Sequence, residues 1–224
     1  MEKLILPPAE ELNIINKTLE EEAPFEGFAD AWGKERKNLE DLATKDPLTS
    51  LYNRRGFMEE ARRLASRIRP EGKAPHRKEE LTNLSFMLVD VDNFKRINDT
   101  FGHDVGDIAL KAVAQTLRGL CREEDIVGRW GGEEFIVAFP HSNLVEVLRK
   151  FGFDESGKKT AQLPKTDIAL SEKDNEQISI TLSAGVAEYR PDQTQMQNIE
   201  NAIKRADEAL HQAKESGKNR LLSE

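Results

Sequence analysis

The residues best suited to chemistry follow a pair of glycines in the middle of the chain: Gly131-Gly132 is succeeded at once by Glu133 and Glu134. Two β-like runs, residues 125–130 and 135–139, flank this segment. Glycine adopts the positive φ angles of tight hairpin turns without strain, so the arrangement predicts a hairpin with two carboxylates at its tip. Carboxylates at a rigid turn, where a ligand can approach the backbone closely, suit a hard metal ion and a phosphorylated substrate. A solvated acidic turn is the alternative when these residues are considered alone.

A second pair of carboxylates, Asp90 and Asp92, ends the apolar run Ser85–Val89, which is typical of a buried strand. We expect only one of them, Asp90, to face a site shared with the hairpin, and Asp92 to stabilise the strand end. If the hairpin pairs beside this strand, Asp90 and one glutamate can share a Mg²⁺ ion. Phosphoryl transfer requires such oxygen ligands around a phosphate-bound cation.

The composition is that of a soluble, acidic protein with a core that can be buried. The 224 residues are 38% hydrophobic and 33% charged, which suits one domain with an extension or two small domains. The net charge of -8 argues against a non-specific nucleic-acid binder. The single cysteine, Cys121, excludes an internal disulfide and suits a reducing cytoplasm. We expect no membrane segment and no signal peptide, because the apolar runs are too short.

The elements that must position these carboxylates can be traced along the chain. Residues 1–45 are predicted to form a helical stalk, which either pairs with a second copy or packs on its own domain. The other predicted elements are helices from the N-cap Asn53 to about residue 69 and over residues 104–120, 144–151 and 197–216, a strand over 178–187, and loops over 70–83 and 152–176. This order predicts an α+β sandwich with a mostly antiparallel sheet covered by helices.

Six segments in this order resemble the GGDEF-domain diguanylate cyclase family. They are Asp46–Phe57, Val89–Asn98, Phe101–Asp107, Gly131–Phe135, Leu182–Val186 and Arg205–Lys214 with Gly217–Asn219. Each motif is weak alone, but the six in order with compatible spacing are specific, and they place the family's catalytic domain over residues 46–224. Glu133 replaces the Asp of the family's name, and this GGEEF variant is a known active form.

The resemblance implies a fold related to nucleotide cyclases and polymerase palm domains. It also implies the condensation of two GTP molecules into cyclic di-GMP with release of two pyrophosphates. Each domain would bind one GTP, and the 3′-hydroxyl of one would attack the α-phosphorus of the other. Catalysis would therefore require a homodimer in which two domains meet face to face.

The resemblance also implies roles for the acidic residues. Asp90 and Glu133, joined by the carbonyl of Val91, would bind Mg²⁺, with Mn²⁺ as a possible substitute. Glu133 would also help to deprotonate the 3′-hydroxyl, unless activation by the metal alone suffices. Glu134 would support the metal site or the hairpin geometry.

The substrate-binding positions that the resemblance implies are Leu48 and Phe94 in the base pocket, Asn98 and Asp107 at the guanine edge, and Lys95, Lys214 and Lys218 at the β- and γ-phosphates. A carboxylate accepts hydrogen bonds from guanine N1–H and N2–H₂, a donor pair that adenine lacks, so Asp107 favours GTP over ATP. Lys218 stands where the family more often has Arg, so the charge is kept and the bidentate phosphate contact is lost.

Arg122 and Asp125 lie shortly before the hairpin in an Arg-x-x-Asp arrangement. This spacing resembles the family's product-inhibition site, where the Arg grips the phosphate and guanine of cyclic di-GMP and the Asp reads guanine. A local Arg–Asp surface pair is the alternative interpretation of these two residues.

Two other functions compete with the cyclase. One is a non-catalytic receptor that binds cyclic di-GMP through Arg122 and Asp125, or GTP without turnover; such degenerate domains usually lose the hairpin acids or the metal Asp, which this chain retains. The other is a cyclase that makes a mixed guanine–adenine dinucleotide, against which Asp107 argues.

Overall fold

The computed structural model of the chain describes residues 39, 41–68, 81–152, 164–169, 177–192 and 194–224. The chain divides into two units, Met1–Ala43 and Thr44–Glu224. All the strands in the described part of the chain, and the helices that pack on them, belong to the second unit. The predicted stalk lies almost wholly outside the described residues, although residues 39 and 41–44 are helical. The predicted loop at 70–83 lies outside them except for its last three positions.

The second unit contains both helices and strands. Its helices are α1 (Arg54–Ala65), α2 (Phe94–Phe101), α3 (His103–Leu120), α4 (Leu144–Lys150) and α5 (Gln195–Glu215). Its strands are β1 (Leu84–Val91), β2 (Ile126–Gly131), β3 (Glu134–Pro140), β4 (Thr166–Ala169), β5 (Gln177–Ile180), β6 (Leu182–Glu188) and β7 (Leu221–Ser223).

The central sheet has the strand order β2-β3-β1-β6-β7. All neighbouring pairs are antiparallel except β6 and β7, which are parallel. Strands β4 and β5 form a separate antiparallel pair. The predicted α+β architecture, with a mostly antiparallel sheet covered by helices, is therefore confirmed.

Strand β1 lies at the centre of the sheet and is buried along its whole length. Its side chains alternate between the two faces, as the period of a strand requires. Met87 and Val89 join a core cluster with α3, whereas Phe86 and Leu88 join a second cluster with α1 and α5. Asp90 continues the second series, so its carboxylate emerges on the face covered by α1 and α5.

Several predicted boundaries are confirmed and others are wrong. The side chain of Asn53 caps α1 by accepting a hydrogen bond from Gly56 N at 2.9 Å, as predicted, although the helix ends at Ala65. The single strand predicted over residues 178–187 is wrong, because Thr181 separates β5 from β6 and its carbonyl accepts a hydrogen bond from Asp92 N at 2.9 Å. The loop predicted over 152–176 contains β4, and helix α2 and strand β7 were not predicted.

Among the described residues, no helix combines the length and the apolar character needed to cross a membrane.

Candidate active site

The glycine pair forms the predicted hairpin between β2 and β3. The strands pair regularly from Ile126 opposite Ala138 to Arg129 opposite Phe135, and then the register shifts so that Gly131 lies opposite Glu134. Gly132 has a φ of +50°, a backbone conformation that glycine adopts without strain. The bulge and the turn together place two consecutive glutamates at the end of the hairpin.

The hairpin acids meet the end of β1. Asp90 and Glu134 are direct partners across the β1–β3 pair, and Asp90 is only 7% exposed. At the next position the backbone amide of Val91 donates to the carbonyl of Glu133 at 3.3 Å. The predicted neighbourhood of Asp90, Val91, Glu133 and Glu134 is therefore present in the fold.

Burial and mutual repulsion disfavour the ionised forms of these acids. Burial raises the pKa of Asp90, Lys214 opposes that rise, and the charges of Glu133 and Asp92 add to it. Burial also raises the pKa of Glu134, with a further contribution from the charge of Asp90. A bound cation would relieve this repulsion.

The donor set fits a hard cation in its chemistry, because it consists of carboxylate and carbonyl oxygens. In the part of the chain that the structure describes, no three side chains of His, Cys, Asp or Glu are grouped as metal ligands. The metal site that the family resemblance predicts has two carboxylates, those of Asp90 and Glu133, and the carbonyl of Val91.

Lys214 lies in the same cluster as these acids. Its ammonium nitrogen, near the end of α5, is 2.7 Å from Oδ2 of Asp90. This contact places a cation on the face of the sheet where Asp90 and Glu134 emerge.

Asp92 fixes the neighbouring loop rather than facing the hairpin. On an unbroken strand Asp90 and Asp92 would point to the same face, because they are two residues apart. Strand β1 ends at Val91, however, so Asp92 lies beyond it. The Asp92 carboxylate accepts hydrogen bonds from three groups, Thr181 Oγ1 at 2.7 Å, Ser183 Oγ at 2.6 Å and Asn219 N at 2.9 Å. It thereby ties β1 and β6 to the loop that carries Lys218, as its predicted role at the strand end requires.

Lys218 and its neighbour Asn219 both have positive φ values, 61° and 48°. The Lys218 ammonium donates to Asn93 Oδ1 at 2.6 Å, and Asn93 directly precedes α2. The loop after α5 and the start of α2 are thus linked by a side chain that the family resemblance assigns to phosphate.

The predicted guanine-binding residues gather between α2 and α3. A Cβ added to Gly106 would lie 1.9 Å from Asn98 Oδ1 and 3.3 Å from Phe94 Cζ, so both side chains lie directly against this glycine. Asp107 follows Gly106 on α3 and is exposed. Leu48 and Phe94 are partly buried against one core cluster, and Lys95 is exposed on α2.

Residues 43–220 match the family model described as diguanylate cyclase, GGDEF domain. The chain belongs to the GGDEF-domain diguanylate cyclase family. The diguanylate cyclase DgcM of Escherichia coli is 34% identical over 187 residues, which are 84% of this chain and 40% of that protein. The chain spans less than half the length of the curated relatives it matches.

Solved GGDEF structures share this fold. The GGDEF domain of DgcB from Caulobacter crescentus, in complex with cyclic di-GMP, is 28% identical with a TM-score of 0.62, and the match covers 81% of this chain and 95% of that one. The active GGEEF domain of a diguanylate cyclase from Vibrio cholerae is 28% identical with a TM-score of 0.56, covering 76% and 96% of the two chains.

The Arg-x-x-Asp residues of this GGDEF domain lie apart from the acidic cluster, in the turn between α3 and β2. Arg122 is exposed and its guanidinium is 3.7 Å from Glu124. The side chain of Asp125 is only 1% exposed, and its Oδ2 accepts hydrogen bonds from Arg122 N at 2.7 Å and from Lys150 Nζ at 2.6 Å. The two predicted ligand-binding side chains therefore occupy different environments.

Three residues that position this site were not predicted from the sequence. Arg129 and Asp46 hold the hairpin turn, and Lys150 holds Asp125. For Arg129 a signal existed, because a charged residue stands within the β2 run two positions before the glycines. Lys150 gave no signal, since only the fold brings it to a residue 25 positions away.

Proposed function

We propose that this GGDEF domain is a diguanylate cyclase. It would join two GTP molecules by two 3′–5′ phosphodiester bonds, and each bond would form as one α–β phosphoanhydride bond breaks and one pyrophosphate leaves. The observation that carries the proposal is the pairing of Asp90 with Glu134 across β1 and β3, with Glu133 at the adjacent hairpin tip and Lys214 2.7 Å from Asp90. The similarity to diguanylate cyclases, among them an active GGEEF domain, supports it.

Asp90, Glu133 and the carbonyl of Val91 are the groups that would hold Mg²⁺ or, in its place, Mn²⁺. Bound there, the cation would act as a Lewis acid on the α-phosphoryl group and lower the pKa of a nearby hydroxyl. Glu133, the acid at the hairpin tip, would accept the proton of an attacking 3′-hydroxyl. Glu134 would support the metal site or the geometry of the hairpin.

The cationic residues would bind the part of the substrate that leaves. Lys214 and Lys218 would contact the β- and γ-phosphates together with Lys95, and their charges would stabilise the pyrophosphate as it departs. In the structure Lys214 is bonded to Asp90 and Lys218 to Asn93. Each of these two lysines would therefore exchange an internal partner for phosphate, or bridge the two, when GTP binds.

Base choice would rest on Asn98 and Asp107. Asp107 would accept hydrogen bonds from guanine N1–H and N2–H₂, and the Asn98 amide would serve the guanine acceptors. ATP offers no matching donor pair, so we expect the chain to use GTP and to reject ATP. A site built to bond a substrate group discriminates strongly against an analogue that lacks the group.

Two copies must cooperate in this reaction. One domain has one set of acids and one guanine-binding pair, so each would bring one GTP and a homodimer would align them. The rate per molecule is therefore expected to rise with protein concentration until the dimer is saturated.

The test is incubation of the purified chain with GTP and Mg²⁺, followed by chromatography for cyclic di-GMP and pyrophosphate. The wild type should form both products and Glu133→Gln should form neither. Glu208→Gln is the matched control, because it makes the same change at an exposed position on α5. Equal product from the wild type and Glu133→Gln would refute the assignment of Glu133.

Two further mixtures separate the alternative functions. GTP and ATP together should yield cyclic di-GMP without a mixed dinucleotide. If no product forms at any protein concentration but cyclic di-GMP binds, the chain is a receptor rather than an enzyme.

We also propose that cyclic di-GMP inhibits the enzyme at Arg122 and Asp125. Arg122 is exposed and suited to contact phosphate and guanine, whereas Asp125 must first become accessible. Initial rates measured with added cyclic di-GMP should fall for the wild type and stay constant for Arg122→Ala.

A further inference from the structure

The turn between α3 and β2 is held by hydrogen bonds between side chains and its backbone that do not involve Lys150. Arg118 donates to the carbonyl of Asp125 at 2.7 Å and to the carbonyl of Arg122 at 2.8 Å. The backbone amide of Arg122 donates to Oδ2 of Asp125 at 2.7 Å, which is a third hydrogen bond across the turn. The turn therefore has its own supports, and the bond from Lys150 to Asp125 is an additional contact.

Lys150 reaches Asp125 from a different element. It is the last residue of α4, its side chain is 22% exposed, and its ammonium lies 5.1 Å from the centre of the Phe139 ring. The aromatic ring and the carboxylate together hold the ammonium at this position. The contact buries the Asp125 carboxylate under a cation that belongs to the domain itself.

Asp125 nevertheless retains acceptor capacity. Its Oδ1 is buried and, among the described residues, receives no hydrogen bond, whereas Oδ2 accepts two. Guanine presents two adjacent donors, N1–H and N2–H₂, which match the two oxygens of one carboxylate. A guanine that approached Asp125 would meet Lys150 as a competitor for the same group.

We propose that Lys150 controls how tightly the inhibitory site, formed by Arg122 and Asp125, binds cyclic di-GMP. It does so by occupying the Asp125 carboxylate, and we call this contact the latch. With Lys150 on Asp125, the product can contact Arg122 alone; when Lys150 withdraws, Asp125 can bond guanine as well. The inference rests on the proposed inhibitory site and names a residue that controls it. Lys150 is a positioning residue, because it acts on the ligand through Asp125.

Only molecules in which Lys150 has withdrawn from Asp125 can bind cyclic di-GMP through both Arg122 and Asp125. The apparent affinity for cyclic di-GMP is therefore the affinity of this open state multiplied by the fraction of molecules that are open. Removing the ammonium makes the open state the common one, so the apparent dissociation constant should fall, by about 10-fold if roughly one molecule in ten is open in the wild type. Lys150→Met removes the charge and keeps an unbranched apolar stem against Phe139. Lys150→Gln keeps a hydrogen-bond donor without the charge and should give an intermediate affinity.

The experiment is a calorimetric titration of the full chain with cyclic di-GMP in the absence of GTP. The variants are Lys150→Met, Lys150→Gln and the control Lys111→Met, which removes an exposed lysine from α3. Tighter binding by Lys150→Met, with Lys111→Met unchanged, supports the latch. Arg122→Ala in the Lys150→Met background should abolish the gain, which assigns the binding to this turn.

Equal or weaker binding by Lys150→Met and Lys150→Gln would overturn the inference, as would the absence of binding in every variant. If Lys150→Met fails to fold by circular dichroism, Lys150→Gln decides alone. Binding needs no turnover, so the two proposals fail separately. If the chain makes no cyclic di-GMP but the Lys150 variants bind it more tightly, the proposed activity fails and the latch stands. If the chain is an active cyclase and the Lys150 variants bind cyclic di-GMP as the wild type does, only the latch fails.

Discussion

Arg129 joins the carboxylate of Asp46 to the carbonyl of Gly132. Its Nη1 lies 3.2 Å from both oxygens of Asp46, and its Nε and Nη2 donate to the Gly132 carbonyl at 3.0 and 2.8 Å. Both charged side chains are largely buried, at 17% and 16% exposure. One guanidinium thus connects the first residues of the domain to the turn that carries Glu133.

Asp46 is held as a carboxylate in this arrangement. Burial alone would raise its pKa, but hydrogen bonds from Thr49 and the charge of Arg129 together lower it. The lowered pKa means that Asp46 contributes stability above its ordinary pKa of 3.8, and that this contribution is lost as the pH falls through the folded value. The bridge is therefore fully formed at neutral pH.

Replacing Arg129 by Lys should impair catalysis more than folding. A lysine ammonium cannot serve the Asp46 carboxylate and the Gly132 carbonyl in the same fork geometry, so the hairpin tip should shift. A displacement of about 1 Å at a reacting group can lower the rate by roughly 100-fold, which we expect for cyclic di-GMP synthesis by Arg129→Lys. Arg55→Lys, at an exposed position on α1, is the control. Wild-type turnover by Arg129→Lys would show that the bridge does not position Glu133.

Glu134→Gln should stabilise the fold at neutral pH. Burial and the neighbouring charge of Asp90 raise the pKa of Glu134, so ionising it costs stability in the folded state. The wild type should therefore lose stability relative to the variant as the pH rises from the ordinary Glu pKa of 4.5 through the raised folded value. Below that window both side chains are neutral, and the difference should vanish.

Urea denaturation of the wild type and Glu134→Gln across this pH range measures the effect. Glu208→Gln, exposed on α5, should show no such pH-dependent gain. Added Mg²⁺ should narrow the difference, because a bound cation offsets the repulsion between Asp90 and Glu134. A variant that is less stable than the wild type at neutral pH would contradict the electrostatic argument.

The sequence predicted those parts of the fold that are determined by residues close together along the chain. Asn53 caps α1 within three residues, and the glycines of the hairpin set their own turn. Helix α2 was missed because Asn93 precedes it with a φ of 57° and no side-chain capping bond, so the sequence carries no ordinary start signal. The break at Thr181 was missed because its cause is Asp92, 89 positions earlier.

The candidate site likewise has residues that could be found from the sequence and contacts that could not. The acids were found because they stand beside glycines or at the end of an apolar run, and the resemblance to the family supplied their roles. The contacts of Arg129 with Asp46 and of Lys150 with Asp125 join residues 83 and 25 positions apart. Such pairs have no periodic signature, and only the packed fold shows them.

Gly185→Ala should destabilise the domain strongly. The added Cβ would lie 2.0 Å from the carbonyl oxygen of Ala206 and 2.2 Å from the amide nitrogen of Leu210, both backbone atoms of α5. Helix α5 would have to move away from β6, and forced overpacking of this kind costs about 1–3 kcal/mol or more. The free energy of unfolding measured in urea checks the loss, and an unchanged value would mean that α5 packs less closely on β6.

Gly106→Ala should weaken GTP binding without unfolding the domain. Its Cβ would fall 1.9 Å from Asn98 Oδ1, so the side-chain amide proposed to contact the guanine edge must leave its position. The clash involves a partly exposed side chain, which can move, and the expected result is a rise in KM for GTP of about 10-fold or more from the misplaced hydrogen bonds. Gly119→Ala makes the same change on α3, where the added Cβ meets nothing within 4 Å, and should leave KM unchanged. Steady-state kinetics measure KM for GTP in the two variants. Equal KM values would mean that Asn98 does not contact the base. A rise in KM for Gly106→Ala alone would place the guanine edge between α2 and α3.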